Sequence, residues 1–251
     1  MTQIVNSARA TPTSDLKEKV WGRFGTVLVD PPWQFQNRTG KVAPEHRRLL
    51  RYPTMQLQAI KELPVADLVG PQAHLYLWVP NALLKEGLEV MKAWGFNYKA
   101  NLVWLKVRKD GGPDGRGVGF YFRNVTELVL FGVRGSMRTL QPGRTQVNLL
   151  ATRKREHSRK PDEIYDIIEA CSVGPYLELF ARFRREGWTQ WGNEDVEQNT
   201  THNVAHRRGH LEPELRLLES PKGYRGHDSR KNGSSRARAK TMPAGGVSVA
   251  K

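Results

Sequence analysis

Apolar positions along the chain fall into short runs separated by polar turns, and the period of the runs alternates between strand-like and helix-like. Thr26-Val27-Leu28-Val29 reads as a short buried strand that halts at Asp30. Pro31-Pro32 then denies both sheet pairing and helix entry, since neither residue has an N–H to donate. Thr54 is expected to cap a short helix that runs to Leu63 and stops at Pro64. His74 to Val79 is a near-continuous apolar strand, as expected when helices cover both faces, with His74 at its exposed start. Asn81 is expected to cap the next helix, with Leu83, Leu84, Leu88, Met91 and Trp94 on its buried face and Gly95 as its stop.

Strands are expected again over 101–107, 127–133 and 147–151. Pro161 followed by Asp162 and Glu163 is a strong helix start, and Ile164, Ile167, Ile168 and Cys171 form the stripe that this helix buries. Tyr176 to Arg182 reads as a further strand, and the segment 187–194 closes the domain. The alternation predicts an α/β fold with a mainly parallel sheet and helices on both faces.

The ends read differently. Residues 1–20 are polar and broken at Thr11-Pro12-Thr13-Ser14, so a flexible arm is expected there, followed by a domain over 21–197. From 198 to 251 Gly, Ser, Pro, Arg and Lys dominate, which predicts a basic, largely disordered tail. Lys and Arg number 40 against 25 Asp and Glu, a net charge of +15. A polyanionic partner, nucleic acid first, follows from that imbalance. The single cysteine, Cys171, excludes an internal disulfide framework and fits a reducing compartment. No apolar run reaches membrane-spanning length and the N-terminus lacks an apolar signal core, so a soluble, cytoplasmic protein without membrane contact is expected. No clustered His/Cys/Asp spacing suggests a metal site.

The candidate chemistry centres on Asp30-Pro31-Pro32-Trp33. A carboxylate held on a stiff turn at the carboxyl end of a strand lies where open α/β sheets bind ligands. Asp30 and a proline carbonyl offer hydrogen-bond acceptors, and Trp33 offers a ring on which a planar base can stack. That set suits the exocyclic amine of a nucleobase; the alternative is an ordinary Pro-Pro turn with a packing tryptophan. Residues 34–51 form a long polar loop carrying Arg38, Lys41, Arg47 and Arg48, either a grip on a phosphate backbone or a solvated charged loop. Tyr52 is a stacking or a packing ring. Lys106, Arg108, Lys109 and Arg116 flank a glycine-rich stretch and are expected to face phosphates. Glu127 is read either as a residue near the site or as a buried acid paired with one of these arginines.

Asp30-Pro31-Pro32-Trp33 resembles the signature of the N6-adenine methyltransferases typified by the catalytic subunit of the eukaryotic mRNA N6-adenosine methyltransferase, with bacterial and phage relatives. Tyr52-Pro53-Thr54-Met55, Leu77-Trp78-Val79, Trp104-Leu105-Lys106, Lys160-Pro161-Asp162-Glu163 and Trp191-Gly192-Asn193 follow in the family's order, over approximately Phe24 to Glu194. The resemblance implies a Rossmann-like, class I S-adenosylmethionine-dependent methyltransferase domain with the catalytic motif N-terminal to the cofactor motif. It implies in-line methyl transfer to N6 of a flipped-out or unpaired adenine, with Asp30, Pro31, Pro32 and Trp33 catalytic. Asp30, Lys160, Arg182, Asn193 and Glu194 are implied as cofactor contacts, Lys160 for the methionine carboxylate. Tyr52 takes a position that faces the target base.

Two departures stand out: Arg184 and Arg185 occupy the place of a typical His-Asn pair, and Glu194 that of a Gln. DNA is favoured over RNA because the chain is compact and lacks zinc-finger modules. An RNA enzyme and a noncatalytic nucleic-acid-binding subunit are the rivals, and the sequence leaves a homodimer or heterodimer open.

Overall fold

A computed structural model describes residues 11–34, 54–115, 121–153 and 159–192, all within a unit spanning Met1–His206. The basic tail, the basic loop 35–53 and the segments 116–120 and 154–158 lie outside the described residues.

The expected flexible arm is ordered from Pro12 on. Thr11 caps helix α1 (Pro12–Lys19) by accepting from Ser14 N–H, and Leu16 and Val20 are buried in the main core. A single well-spaced leucine in a polar stretch gives little periodic signal, so only packing reveals this helix. Trp191 Nε1 donates to Asp15 Oδ2 at 2.8 Å and fastens α1 to the last strand.

Strand β1 (Phe24–Val29) leads to Asp30. Two short helices follow, α2 (Leu57–Lys61) and α3 (Val65–Leu68), where one helix capped by Thr54 was expected; the cap position is Gln56 and carries no side-chain hydrogen bond. Strand β2 (Val69–Val79) ends in a 3-10 turn, Asn81–Leu83, and then helix α4 (Leu84–Ala93). Asn81 does not cap it. Its Nδ2 instead donates to Thr126 O and Oγ1 at 3.1 and 3.0 Å. Leu84 and Leu88 are exposed, because α4 turns Gly87, Val90 and Met91 inward. Any Cβ at Gly87 would lie 2.7 Å from Val79 Cγ2, so that glycine sets how closely α4 approaches the sheet.

Strands β3 (Asn97–Val107), β4 (Thr126–Arg134) and β5 (Leu149–Arg153) come next, then helix α5 (Glu163–Cys171) and strands β6 (Tyr176–Leu179) and β7 (Trp188–Trp191). The seven strands form one sheet in the order β5-β3-β4-β2-β1-β6-β7. Pairing is parallel except that β4 runs antiparallel to both β2 and β3. The sheet is therefore mixed and mostly parallel, as the pattern of runs predicts.

Two apolar layers sandwich it. On one face Val27, Val29, Leu75, Leu77 and Leu177 pack with Leu16, Ile60, Leu68, Val90 and Met91 from the helices. On the other, Leu28, Tyr76, Trp78, Trp104 and Val129 pack against Ile164 and Ile168 of α5. Cys171 is a small core residue whose thiol burial pushes up.

His74 is fully buried rather than exposed. Its Nδ1 meets Ser172 Oγ at 2.7 Å, and Tyr76 OH meets the same hydroxyl at 2.7 Å, so a polar trio closes the amino-terminal end of the sheet. Burial holds the imidazole below its ordinary value, which keeps it neutral.

Candidate active site

β1 lies between β2 and β6; from β1 the chain goes on to β2 on one side, and from β6 to β7 on the other. The carboxyl ends of β1 and β6 thus form a topological switch point, the place where open α/β sheets bind ligands. Asp30 stands there, with 28% of its side chain exposed.

The two prolines act as expected, but their carbonyls are already in use. Pro31 O accepts from Trp33 N–H at 2.8 Å, a turn of three residues, and Pro32 O accepts from Met55 N–H at 2.8 Å. A carbonyl has a second lone pair, so Pro31 O retains acceptor capacity. Trp33 overturns its expected stacking role. Its ring is 6% exposed within the core, and its Nε1 donates to Trp78 O at 2.9 Å. The indole anchors the Asp30 turn to β2, because burying so large a ring outweighs leaving it open for a ligand.

Lys160, just ahead of α5, places Nζ 3.0 Å from Asp30 Oδ2 and 3.3 Å from Glu127 Oε2. Lys106 at the end of β3 reaches Glu127 Oε1 at 2.5 Å. Asp30, Lys160, Glu127 and Lys106 therefore form one alternating chain of charges drawn from β1, α5, β4 and β3. Each ammonium also lies over an indole: Lys160 Nζ is 5.1 Å from the Trp78 ring centre and Lys106 Nζ 5.0 Å from that of Trp104. Burial alone would depress Lys160, but Asp30 and Glu127 outweigh it and hold the ammonium above its usual range. Burial would likewise raise Glu127, and Lys160 with Lys106 more than reverse this. Lys160 and Glu127 are therefore both held in their charged forms.

Lys106 is thus bonded to Glu127 rather than facing outward to phosphates. The arginine partner expected for Glu127 is replaced by two lysines. Arg108 pairs with Asp110 at 2.9 Å and stays on the surface.

A second acid escaped any assignment in the sequence. Glu178 on β6 sits in register with Leu28, on the same side of the sheet as Asp30. It accepts from Tyr165 OH at 2.9 Å and from Gln190 Nε2 at 2.6 Å. Burial pushes its carboxyl up to about 7, the charge of Asp30 adds to this, and the two hydrogen bonds and Arg185 hold it back. An isolated acid in the otherwise apolar run Tyr176 to Ala181 was the available signal.

Where β6 ends, Phe180 adopts φ +65°, an uncommon conformation for an aromatic residue and one that clusters at functional edges. Arg182 follows, half-buried. Arg185 is committed to the fold: it grips Glu169 at 2.9 and 3.0 Å and Asp166 at 3.3 Å, and stacks on Tyr165. Arg38, Lys41, Arg47, Arg48, Tyr52, Arg116, Asn193 and Glu194 lie outside the described residues.

Fold and site together define an α/β protein with a chain of paired charges at the switch point of its mostly parallel sheet. Residues 24–194 match MT-A70, and the chain belongs to the MT-A70 family. It is 28% identical over 181 residues to "Putative N(6)-adenosine-methyltransferase MT-A70-like" of Medicago truncatula, covering 70% of this chain and 27% of that protein. It is 27% identical over 185 residues to the N(6)-adenosine-methyltransferase catalytic subunit METTL3 of Homo sapiens, covering 71% of this chain and 29% of that protein. It is also 27% identical over 188 residues to the Type II methyltransferase M.MunI of Mycoplasma sp, covering 68% of this chain and 78% of that protein. The matched part therefore spans little more than a quarter of the plant and human relatives, and most of the bacterial one.

Proposed function

We propose that the protein is an S-adenosylmethionine-dependent N6-adenine methyltransferase acting on DNA, built on a Rossmann-like domain. The observation that carries the reading is the Asp30 carboxylate at the switch point, half-open and fixed by Lys160. The side chains fit the cofactor. Asp30 and Glu178 suit the cationic sulfonium and ammonium, and Lys160 at the start of α5 suits the carboxylate. S-adenosylmethionine, when bound, supplies an activated methyl group.

The protein's own contribution is orientation and charge. Asp30 accepts a hydrogen bond from the adenine amine and stabilises the positive charge that develops on its nitrogen. Lys160 holds that carboxylate in place, and the second lone pair of Pro31 O takes the other N–H. Trp33 keeps the turn rigid from below, so the acceptors are set before substrate arrives. Arg182, Asn193 and Glu194 are proposed cofactor contacts, and Tyr52 with Arg38, Lys41, Arg47, Arg48 and Arg116 substrate contacts. The domain is proposed to span 21–197, with α1 packed on it and the basic tail adding affinity for nucleic acid.

The likeness to the Type II methyltransferase M.MunI supports DNA as the first reading. The names of the adenosine-methyltransferase relatives favour RNA as the second reading. Incubation with labelled cofactor and DNA or RNA, followed by identification of the methylated nucleoside, decides between them. Asp30→Ala is expected to abolish methylation while retaining cofactor and nucleic-acid binding; turnover surviving in that variant removes Asp30 from the chemistry.

A further inference from the structure

Tyr121 and Phe122 are 95% and 85% exposed, the most exposed large hydrophobic residues among those described. They are consecutive, and they lie in the loop that joins β3 to β4. That loop is held down at both ends. Lys106 N–H donates to Val125 O at 2.8 Å, Asp114 N–H donates to Lys106 O at 2.7 Å, and an Arg123 guanidinium nitrogen reaches Gly115 O at 3.4 Å. Its base is therefore the Lys106–Glu127 pair, and through Lys160 the Asp30 carboxylate, at the same edge of the sheet. Two exposed rings cost solubility without stabilising the fold, so their position at the Asp30 edge of the sheet calls for a ligand surface. The neighbouring sequence is basic, with Arg108, Lys109, Arg116 and Arg123 against Asp110 and Asp114, on a chain of net charge +15. Basic residues interleaved with exposed aromatic rings match single-stranded nucleic acid, whose bases stack while its phosphates are neutralised.

We infer that Tyr121 and Phe122 stack on unpaired bases flanking the target adenine, so that the preferred substrate is a single-stranded or locally opened segment. This rests on the methyltransferase reading for what happens at Asp30, but not for the binding contact itself. Base pairs present edges and phosphates to a protein but hide their faces within the stack, so rings at these positions favour unpaired strands.

The test compares the full-length chain with Tyr121→Ala/Phe122→Ala, Tyr121→Leu/Phe122→Leu and Phe122→Trp. Binding of a short labelled single-stranded oligonucleotide containing adenine, and of its duplex, is followed by fluorescence anisotropy at fixed salt, alongside methyl transfer from labelled cofactor. Each lost ring is expected to weaken single-strand binding about tenfold, with little change on the duplex. Leucines are expected not to restore binding, Phe122→Trp to retain it with quenching of the new indole, and cofactor affinity to stay constant. Equal losses on single strand and duplex, no loss at all, or a change of oligomeric state with binding unaltered would each overturn the inference. If the parent chain binds but methylates nothing while the alanine variant still loses binding, the stacking contact stands and the enzymatic reading fails.

Discussion

Replacing Glu178 by Gln tests how β6 and its neighbours hold this second acid. Burial raises this carboxyl from an ordinary 4.5 to about 7, a difference worth about 3 kcal/mol between its protonated and ionised forms. The folded protein therefore binds more protons than the unfolded chain between those two values. The stability supplied by the protonated acid is complete below about pH 4.5 and is lost as pH rises through about 7. Glutamine cannot ionise and lacks this slope. It carries a separate, pH-independent cost, because its amide N–H₂ replaces one accepting oxygen: toward Gln190 Nε2 it meets a second donor, and toward Tyr165 it forces the hydroxyl to give up donating there. Gln190 cannot turn over without losing its bonds to Phe183 O at 2.7 Å and from Arg185 N–H at 2.9 Å. That donor conflict costs about 1–2 kcal/mol. The variant is thus expected to be less stable than the parent at acid pH and to equal or exceed it at about pH 8. Thermal melts followed by circular dichroism across this range, without cofactor, read the effect directly. At about 2–4 °C per kcal/mol, the relative midpoint shift should approach about 10 °C. Midpoints of the two proteins that move in parallel with pH would show that Glu178 is not held protonated by its surroundings.

Two further outcomes follow from the geometry. Lys160→Met leaves Asp30 and Glu127 facing each other without their shared cation, and should cost about 3–5 kcal/mol near neutral pH; urea titration should show part of that loss recovered at acid pH, where the carboxylates protonate. A Cβ at Gly192 would lie 2.2 Å from Ala181 O, a backbone atom, whereas at Gly132 it would meet the flexible Met91 Cε at 2.3 Å. Gly192→Ala should therefore lose about 1–3 kcal/mol and weaken cofactor binding, while Gly132→Ala should be the milder change; the reverse ranking by chemical denaturation would contradict the packing.

Local chemistry made much of this protein legible from its residues. The β-branched run before Asp30, the paired prolines, the proline-acid start before α5 and the apolar stripe through Ile164 and Ile168 each act over a few residues, and each formed close to where it was expected. Asp30 and Lys160 were both legible as candidate site residues for the same reason, and the fold brings them to 3.0 Å of each other. What the chain alone left open were contacts made across the sheet. Trp33 is a core anchor and Lys106 an inward ion-pair partner because β2, β3 and β4 pass beside them, which no spacing along the chain reveals. His74 is buried because Ser172, far away in sequence, closes over it, and α1 is a helix because Leu16 finds a cavity to fill. Burial and pairing are decided by neighbours distant along the chain. The pattern determined which segments become sheet and helix, and only their packing decided which charges meet.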